Sequence, residues 1–137
     1  MKPFFLKTMS AGKCSFKDSL ALLLLRLCFG GAMLVQHGLA KWGKNPESLP
    51  NPYDWNPTFN GWLILFAEIV CAFLLVIGLA SRWCALILGI TMAVACFEFH
   101  AGDDFADREL SFLYLGAFAS LMIFGGGILS VDRLIEK

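Results

Sequence analysis

Several ionisable residues lie within or at the ends of long apolar segments of this 137-residue chain, and six of them are candidates for a shared site. These six are Arg26, His37, Lys41, Glu68, His100 and Glu109. Arg, Lys and carboxylates make strong charge-assisted hydrogen bonds, and His exchanges protons near neutral pH. Ionisable side chains inside apolar segments are costly and frequently mark functional sites. We therefore treat these six residues as a candidate ligand-binding cluster, with no catalytic role assigned to any of them.

The first apolar segment carries a polar stripe. Arg26, Gly30, His37 and Lys41 fall within about 60° of one another, because a helix turns about 100° per residue. An arginine at the centre of a membrane helix costs about 2.5–3.5 kcal/mol, so we expect Arg26 to face the protein interior. By helix rise, Arg26 lies about 13 Å and Glu68 about 21 Å above the inner membrane surface. Two long side chains can bridge that gap, which predicts an Arg26–Glu68 ion pair.

Four of the six residues should meet in one layer. His37, Lys41, Glu68 and His100 come from three apolar segments and all fall in the outer half of the predicted helices. This convergence predicts a polar pocket opening toward the outer leaflet or outer surface. The loop at 43–60 would roof it, and its aromatic residues would stack on a flat ligand. These aromatic residues are Tyr53, Trp55 and Trp62.

A purely structural interpretation of the same residues remains open. Buried ion pairs can fix the register of packed helices without binding anything. Glu98 and Glu109 stand at segment ends, where solvation is an equally good explanation. The two histidines have no metal-ligand spacing with their neighbours, so no metal site is predicted. The five cysteines form no CxxC pair, which favours structural filler over thiol redox chemistry.

The composition of the chain indicates that its apolar segments lie in a lipid bilayer. The chain is 58% hydrophobic and 16% charged, whereas a soluble domain carries about 25% charged residues. We therefore predict a single multi-pass membrane domain over residues 1–137, in contact with the lipid bilayer. Eleven basic and eleven acidic residues balance to zero net charge, and no basic patch indicates nucleic-acid binding.

Four apolar segments define the predicted architecture. They lie at about residues 19–42, 61–81, 82–100 and 109–129, each near the length of about 20 residues that crosses a bilayer. Spanning segments must satisfy their own backbone groups, so we predict an all-α transmembrane four-helix bundle. Seven basic residues lie on the side that holds both termini and three on the other. This bias predicts cytoplasmic termini in the plasma (inner) membrane. Residues 1–17 are either a tail or a helix lying on the inner surface.

The order of these motifs resembles the DoxX family of small four-helix membrane proteins. The resemblance covers Leu20 to about Leu134. It rests on Arg26, Gly30, His37-Gly38 and Lys41, then Glu68, Gly78-Leu79 and Arg82, then His100, Glu109, Gly125-x-Gly127 and Ser130-Val131-Asp132. The Pro- and Asn-rich loop at 43–60 looks like an insertion relative to the shortest members. The resemblance implies roles that range from the membrane subunit of a thiosulfate:quinone oxidoreductase, through oxidative-stress complexes, to membrane chaperones.

Two functional hypotheses follow. In the first, the chain is a redox-linked membrane subunit whose polar outer half holds a quinone headgroup; its own catalytic activity is left open. In the second, it is a non-enzymatic assembly, anchoring or chaperone-like protein in which the polar cluster only fixes the helices. Either hypothesis implies a second copy of the chain or a membrane or redox protein as partner.

Overall fold

A computed structural model describes residues 15–136, and all regular elements in that range are helical. The elements are α1 (Phe16–Leu39), a 3₁₀ turn (Pro46–Ser48), α2 (Pro57–Ile77), α3 (Ser81–Phe99), α4 (Phe105–Phe124) and α5 (Val131–Ile135). Most of the segment at 1–17 that we expect to be a tail or a surface helix lies outside the described residues.

Helices α1, α2 and α3 are long and apolar enough to cross a membrane, with mean hydropathies of 1.8, 2.2 and 1.6. Helix α4 is 20 residues long, but Asp107, Arg108 and Glu109 near its start make it too charged for the same criterion. Large apolar side chains point outward on the surface, among them Leu24, Phe73 and Ile123. Such a surface is stable against lipid rather than water, so this chain is a membrane protein.

The helices begin earlier than the apolar segments do. α1 starts at Phe16, where Ser15 and Asp18 form a reciprocal capping box. α2 starts at Pro57, after the Asn56 side chain accepts the Phe59 amide at 3.0 Å. A capping side chain satisfies amides that would otherwise lack a partner. A helix boundary drawn from hydropathy excludes polar capping residues and a proline in the first turn. The observed helices therefore start three to four residues before the predicted positions.

Sharp turns end α2 and α4 sooner than predicted. Gly78 follows Ile77 with φ 78°, a left-handed conformation that side chains disfavour. The chain then turns through Ala80 at φ 51°, and α3 begins at Ser81. α4 ends at Phe124, where the triple glycine begins, rather than at about 129. The hairpin between α2 and α3 is therefore as tight as the sequence predicts.

All four long helices contribute to one core. Met33, Leu75, Leu88 and Phe118, one from each, are completely buried. Several turns of α1, α2 and α3 are widened to π-helical geometry, at Arg26–Gly30, Met33–Leu39, Phe66–Cys71 and Ala95–Phe99. These wide turns carry Arg26, His37 and Glu68. π-helical turns occur frequently at functional sites because they redirect side chains out of the regular helical register.

The chain gathers its connections at two ends. The loop end holds residues 40–56 and 100–104. The tail end holds the start of α1, the turn at 78–80 and the segment 125–136. The Ile128 amide donates to Ser19 Oγ at 3.1 Å, and the Asp132 amide donates to the Gly78 carbonyl at 2.9 Å. These two bonds tie the C-terminal segment to α1 and to the turn between α2 and α3.

Candidate functional site

An ion pair with a buried carboxylate joins Lys41, two residues after the end of α1, to α2 near the loop end. Lys41 Nζ lies 2.7 Å from Oε1 and 2.6 Å from Oε2 of Glu68. The Glu68 side chain is only 4% exposed, and the Lys41 side chain 21%. Gly38, one turn before Lys41, allows this contact, because a Cβ there would overlap the Glu68 carbonyl oxygen. The two helix backbones touch at that point, so the lysine reaches the carboxylate.

The prediction of an Arg26–Glu68 ion pair is wrong. Arg26 does face the interior, as predicted, and has no exposed surface. Its Nη2 donates to the Leu129 carbonyl at 2.5 Å, at the tail end. Helical side chains lean toward the N-terminus of their own helix. α1 and α2 run in opposite directions, so Arg26 leans toward the tail end while Glu68 leans toward the loop end. The same rule brings Lys41 and Glu68 together.

Arg26 belongs to a separate polar cluster at the tail end. Asp132 is nearly fully buried and accepts hydrogen bonds from the Ala80 and Ser81 amides at 2.7 and 2.9 Å. The Ser81 hydroxyl donates to the same carboxylate at 2.8 Å. Asp132 therefore caps the start of α3, and its charge acts on the Arg26 guanidinium. Within residues 15–136, Nε and Nη1 of Arg26 find no hydrogen-bond partner.

A cavity of about 320 Å³ opens at the loop end. His37, Lys41, Glu68 and His100 all line it, as do Pro50, Pro52, Tyr53 and Trp55 of the loop. Apolar side chains of α2, α3 and α4 form most of its wall. The structure thus brings four of the six sequence-predicted residues to one cavity. The wall is more apolar than the sequence interpretation supposed, because the lysine and the glutamate mainly contact each other.

The remaining predicted residues lie elsewhere. Arg26 is at the tail end, and Glu109 is an exposed residue near the start of α4. Trp62, expected to roof the pocket, is 61% exposed on the outside of α2. Tyr114 is a cavity residue that the sequence interpretation missed. Tyr114 lies on α4, five residues after Glu109. Its helical spacing from the charged residues at the start of α4 is the one feature of the sequence that indicates that it faces inward.

Aromatic rings form two parts of the cavity wall. The rings of His37 and Tyr114 meet edge to face, with centroids 5.8 Å apart. The rings of Tyr53 and Trp55 stack with centroids 5.6 Å apart. Edge-to-face and offset-stacked pairs are favourable arrangements that hold rings in place. The cavity therefore offers flat apolar surfaces beside a few polar atoms.

Polar contacts hold the mouth of the cavity. His100 Nδ1 lies 2.6 Å from Oδ2 of Asp103. Desolvation, followed by the charge and the hydrogen-bond acceptance of the Glu98 carboxylate, raises the pKa of Tyr53. Tyr53, in the loop at 43–56, therefore lies near Glu98 at the end of α3.

The site offers several hydrogen-bonding groups. Lys41 has three N–H groups, of which two face the Glu68 oxygens, so one is left for another acceptor. The His37 ring and the Tyr114 hydroxyl can also hydrogen-bond. Across residues 15–136, no three His, Cys, Asp or Glu side chains come close enough together to hold a metal ion.

Two comparisons with known proteins found matches. The sequence model of the DoxX family matches residues 21–101. An uncharacterized protein of Haemophilus influenzae is 33% identical over 131 residues, which covers 88% of this chain and 86% of that protein. No solved structure matches the chain. The family match includes α1, α2 and α3, and with them His37, Lys41, Glu68 and His100.

Proposed function

This chain belongs to the DoxX family, and we propose that it is a four-span, non-catalytic membrane subunit that binds a quinone at its loop end. The observation that carries the proposal is the cavity of about 320 Å³, apolar over most of its wall, with a buried Lys41–Glu68 pair at one side. Pockets for small molecules combine an apolar lining with a few fixed polar groups in this way.

Three features support four spans with cytoplasmic termini. The tail end holds the start of α1, the turn between α2 and α3 and the C-terminal segment, as an even number of crossings requires. The charges at the start of α4 lie at the loop end, where an interface would solvate them. The bias of lysine and arginine favours the tail end as cytoplasmic. The cavity then lies in the outer half of a plasma (inner) membrane.

The orientation can be tested by labelling. Asn51 lies in the loop at the cavity end. We expect a cysteine at position 51, in a chain without its native cysteines, to react in intact cells with a membrane-impermeant maleimide. A cysteine at position 136 should react only after the cells are opened. The reverse pattern would place the cavity on the cytoplasmic side.

The donor set of the cavity fits a quinone. A quinone is a flat ring with two carbonyl acceptors, and it takes up two electrons and two protons when it is reduced to the quinol. The free N–H of Lys41, the His37 ring and the Tyr114 hydroxyl are donors of the kind its carbonyls accept. The stacked Tyr53 and Trp55 rings offer a flat face to its ring. Apolar residues of α2, α3 and α4 exclude water around it.

Purified protein in detergent provides the test. Organic extraction should release a quinone, and a short-chain quinone should quench tryptophan fluorescence to saturation. His37→Asn should weaken binding about 3- to 10-fold, the value of one hydrogen bond. Gln36→Asn is the matched control, because Gln36 is the exposed neighbour outside the cavity. A wild-type protein that neither carries a quinone nor shows saturable quenching would refute the proposal.

One observation favours assembly or anchoring as the second candidate. Glu68 receives both of its hydrogen bonds from Lys41, so the pair can brace α1 against α2 without any ligand. If the pair is only a structural brace, His37→Asn should leave a second copy of the chain or a partner redox protein bound. We would isolate the protein from membranes after chemical crosslinking and compare wild type with His37→Asn for a second copy or a redox protein. Partners retained in a preparation without quinone would support this candidate.

A further inference from the structure

A second hollow lies on the lipid-facing side of α3 and α4. Its volume is about 220 Å³, and only apolar residues and a glycine line it. Small residues of α3 form its floor, namely Ala85, Gly89 and Ala93, and α4 adds Ala119 and Met122. Neither the ion pair nor the histidines reach it. We call this hollow the α3–α4 groove.

The α3–α4 groove continues from the cavity at the loop end. Ile90 lines both spaces and is 57% exposed, so its side chain is the divide between them. On α4, Ser111 and Tyr114 face the cavity, while Leu115 and Ala119 follow in the groove. The two spaces therefore lie next to each other along α3 and α4, on either side of Ile90.

We propose that the α3–α4 groove holds the isoprenoid tail of the quinone whose ring occupies the cavity; this rests on the proposed function. A hydrocarbon tail leaving the cavity on the loop side would enter water, which is unfavourable. A tail leaving past Ile90 stays in an apolar environment. From Ala93 to Ala85 the groove follows α3 for about 12 Å, room for about two isoprene units.

The shape of the groove supports a chain as its occupant. Within 4 Å, a Cβ on Gly89 would meet only Phe118 Cβ, at 3.8 Å, so there is room for a side chain at this position. The polar or charged residues that line the cavity are absent from the groove's lining. A headgroup has no partner there, whereas a hydrocarbon chain gains van der Waals contact along its length. The cavity selects the ring and the groove selects the tail.

The test compares quinones that share one ring and differ in the tail. The probes carry no isoprene unit or three, and affinities are measured at equal mole fractions in detergent, because micelles also dissolve the tail. Gly89→Leu fills the groove, and an added side chain at this position has room. Gly116→Leu is the matched control, since Gly116 is an exposed α4 glycine with no atom near its Cβ position.

We expect wild type to bind the three-unit probe several-fold more tightly than the tailless probe. Gly89→Leu should remove that preference and leave tailless binding unchanged, while Gly116→Leu should preserve it. A photoreactive group on the tail should label peptides from 85–93 and 115–122. Equal affinity for both probes in wild type, or labelling confined to other helices, would overturn the proposal. Failure of wild type to bind even the tailless probe would refute the proposed function itself.

Discussion

Removing the Lys41 charge should destabilise the protein severely, because it would leave the Glu68 carboxylate buried and unpaired. At the observed 2.6 Å, the attraction is about 6 kcal/mol for an effective dielectric constant of 20, before the cost of desolvation. Breaking a buried pair by removing one partner costs about 3–5 kcal/mol. Glu68 is 4% exposed, so its carboxylate is poorly solvated once the lysine charge is removed. We therefore expect Lys41→Met to lose about 3–5 kcal/mol of unfolding free energy.

The assay is unfolding in mixed micelles of mild detergent and dodecyl sulfate, followed by tryptophan fluorescence. Lys41→Met combined with Glu68→Met should recover most of the loss, because replacing a whole buried pair with apolar residues is often neutral. Lys44→Met removes an exposed charge three residues away and should change stability by about 0.5 kcal/mol or less. A loss below about 1 kcal/mol for Lys41→Met would refute the reasoning, as would a double variant that shows the sum of both single losses.

Three further predictions concern packing and pH. Gly38→Ala should destabilise the protein in the same assay by at least about 1–3 kcal/mol through overpacking, whereas Gly31→Ala, whose Cβ position is empty, should be neutral or slightly stabilising. Asp132→Asn should cost about 1–3 kcal/mol, because a buried acceptor of three hydrogen bonds loses its charge. The pKa of Tyr53 is raised in the folded protein. Protonated Tyr53 therefore contributes fully to folded-state stability below its usual pKa of about 10, and this contribution is lost as pH rises through the higher folded-state pKa. Trp55 fluorescence should therefore change at strongly alkaline pH, and Tyr53→Phe should remove that transition; persistence of the transition in the variant would contradict the assignment.

The long apolar segments could be predicted from the sequence because hydropathy and length alone determine them. The helix ends could not, since they depend on local hydrogen bonds. The side chains of Ser15 and Asn56 extend α1 and α2 into polar sequence. At the other extreme, the triple glycine ends α4 at Phe124, inside the segment predicted to continue. Capping motifs are visible in the sequence, but a hydropathy boundary gives them no weight.

The residues that line the cavity could be predicted from the sequence as far as they depend on position along the helix axes. His37, Lys41, Glu68 and His100 share one level, and the structure brings all four to the same cavity. Tyr114 was missed because a tyrosine in a predicted span is an ordinary core residue on sequence grounds. Its role depends on the edge-to-face contact with His37, which requires knowing how α4 is rotated against α1.

Arg26 shows why depth alone is insufficient. By helix rise, Arg26 and Glu68 are separated by a gap that their side chains are long enough to bridge, but the two helices run in opposite directions. Each side chain leans toward the N-terminus of its own helix, so the intervening distance grows instead of closing. Because of this geometry, these polar residues form two separate clusters. Lys41 and Glu68 lie at the cavity, and Arg26 and Asp132 lie at the tail end. Arg26→Leu should therefore weaken the attachment of the C-terminal segment, while the quinone binding that we propose for the cavity stays the same in the folded fraction.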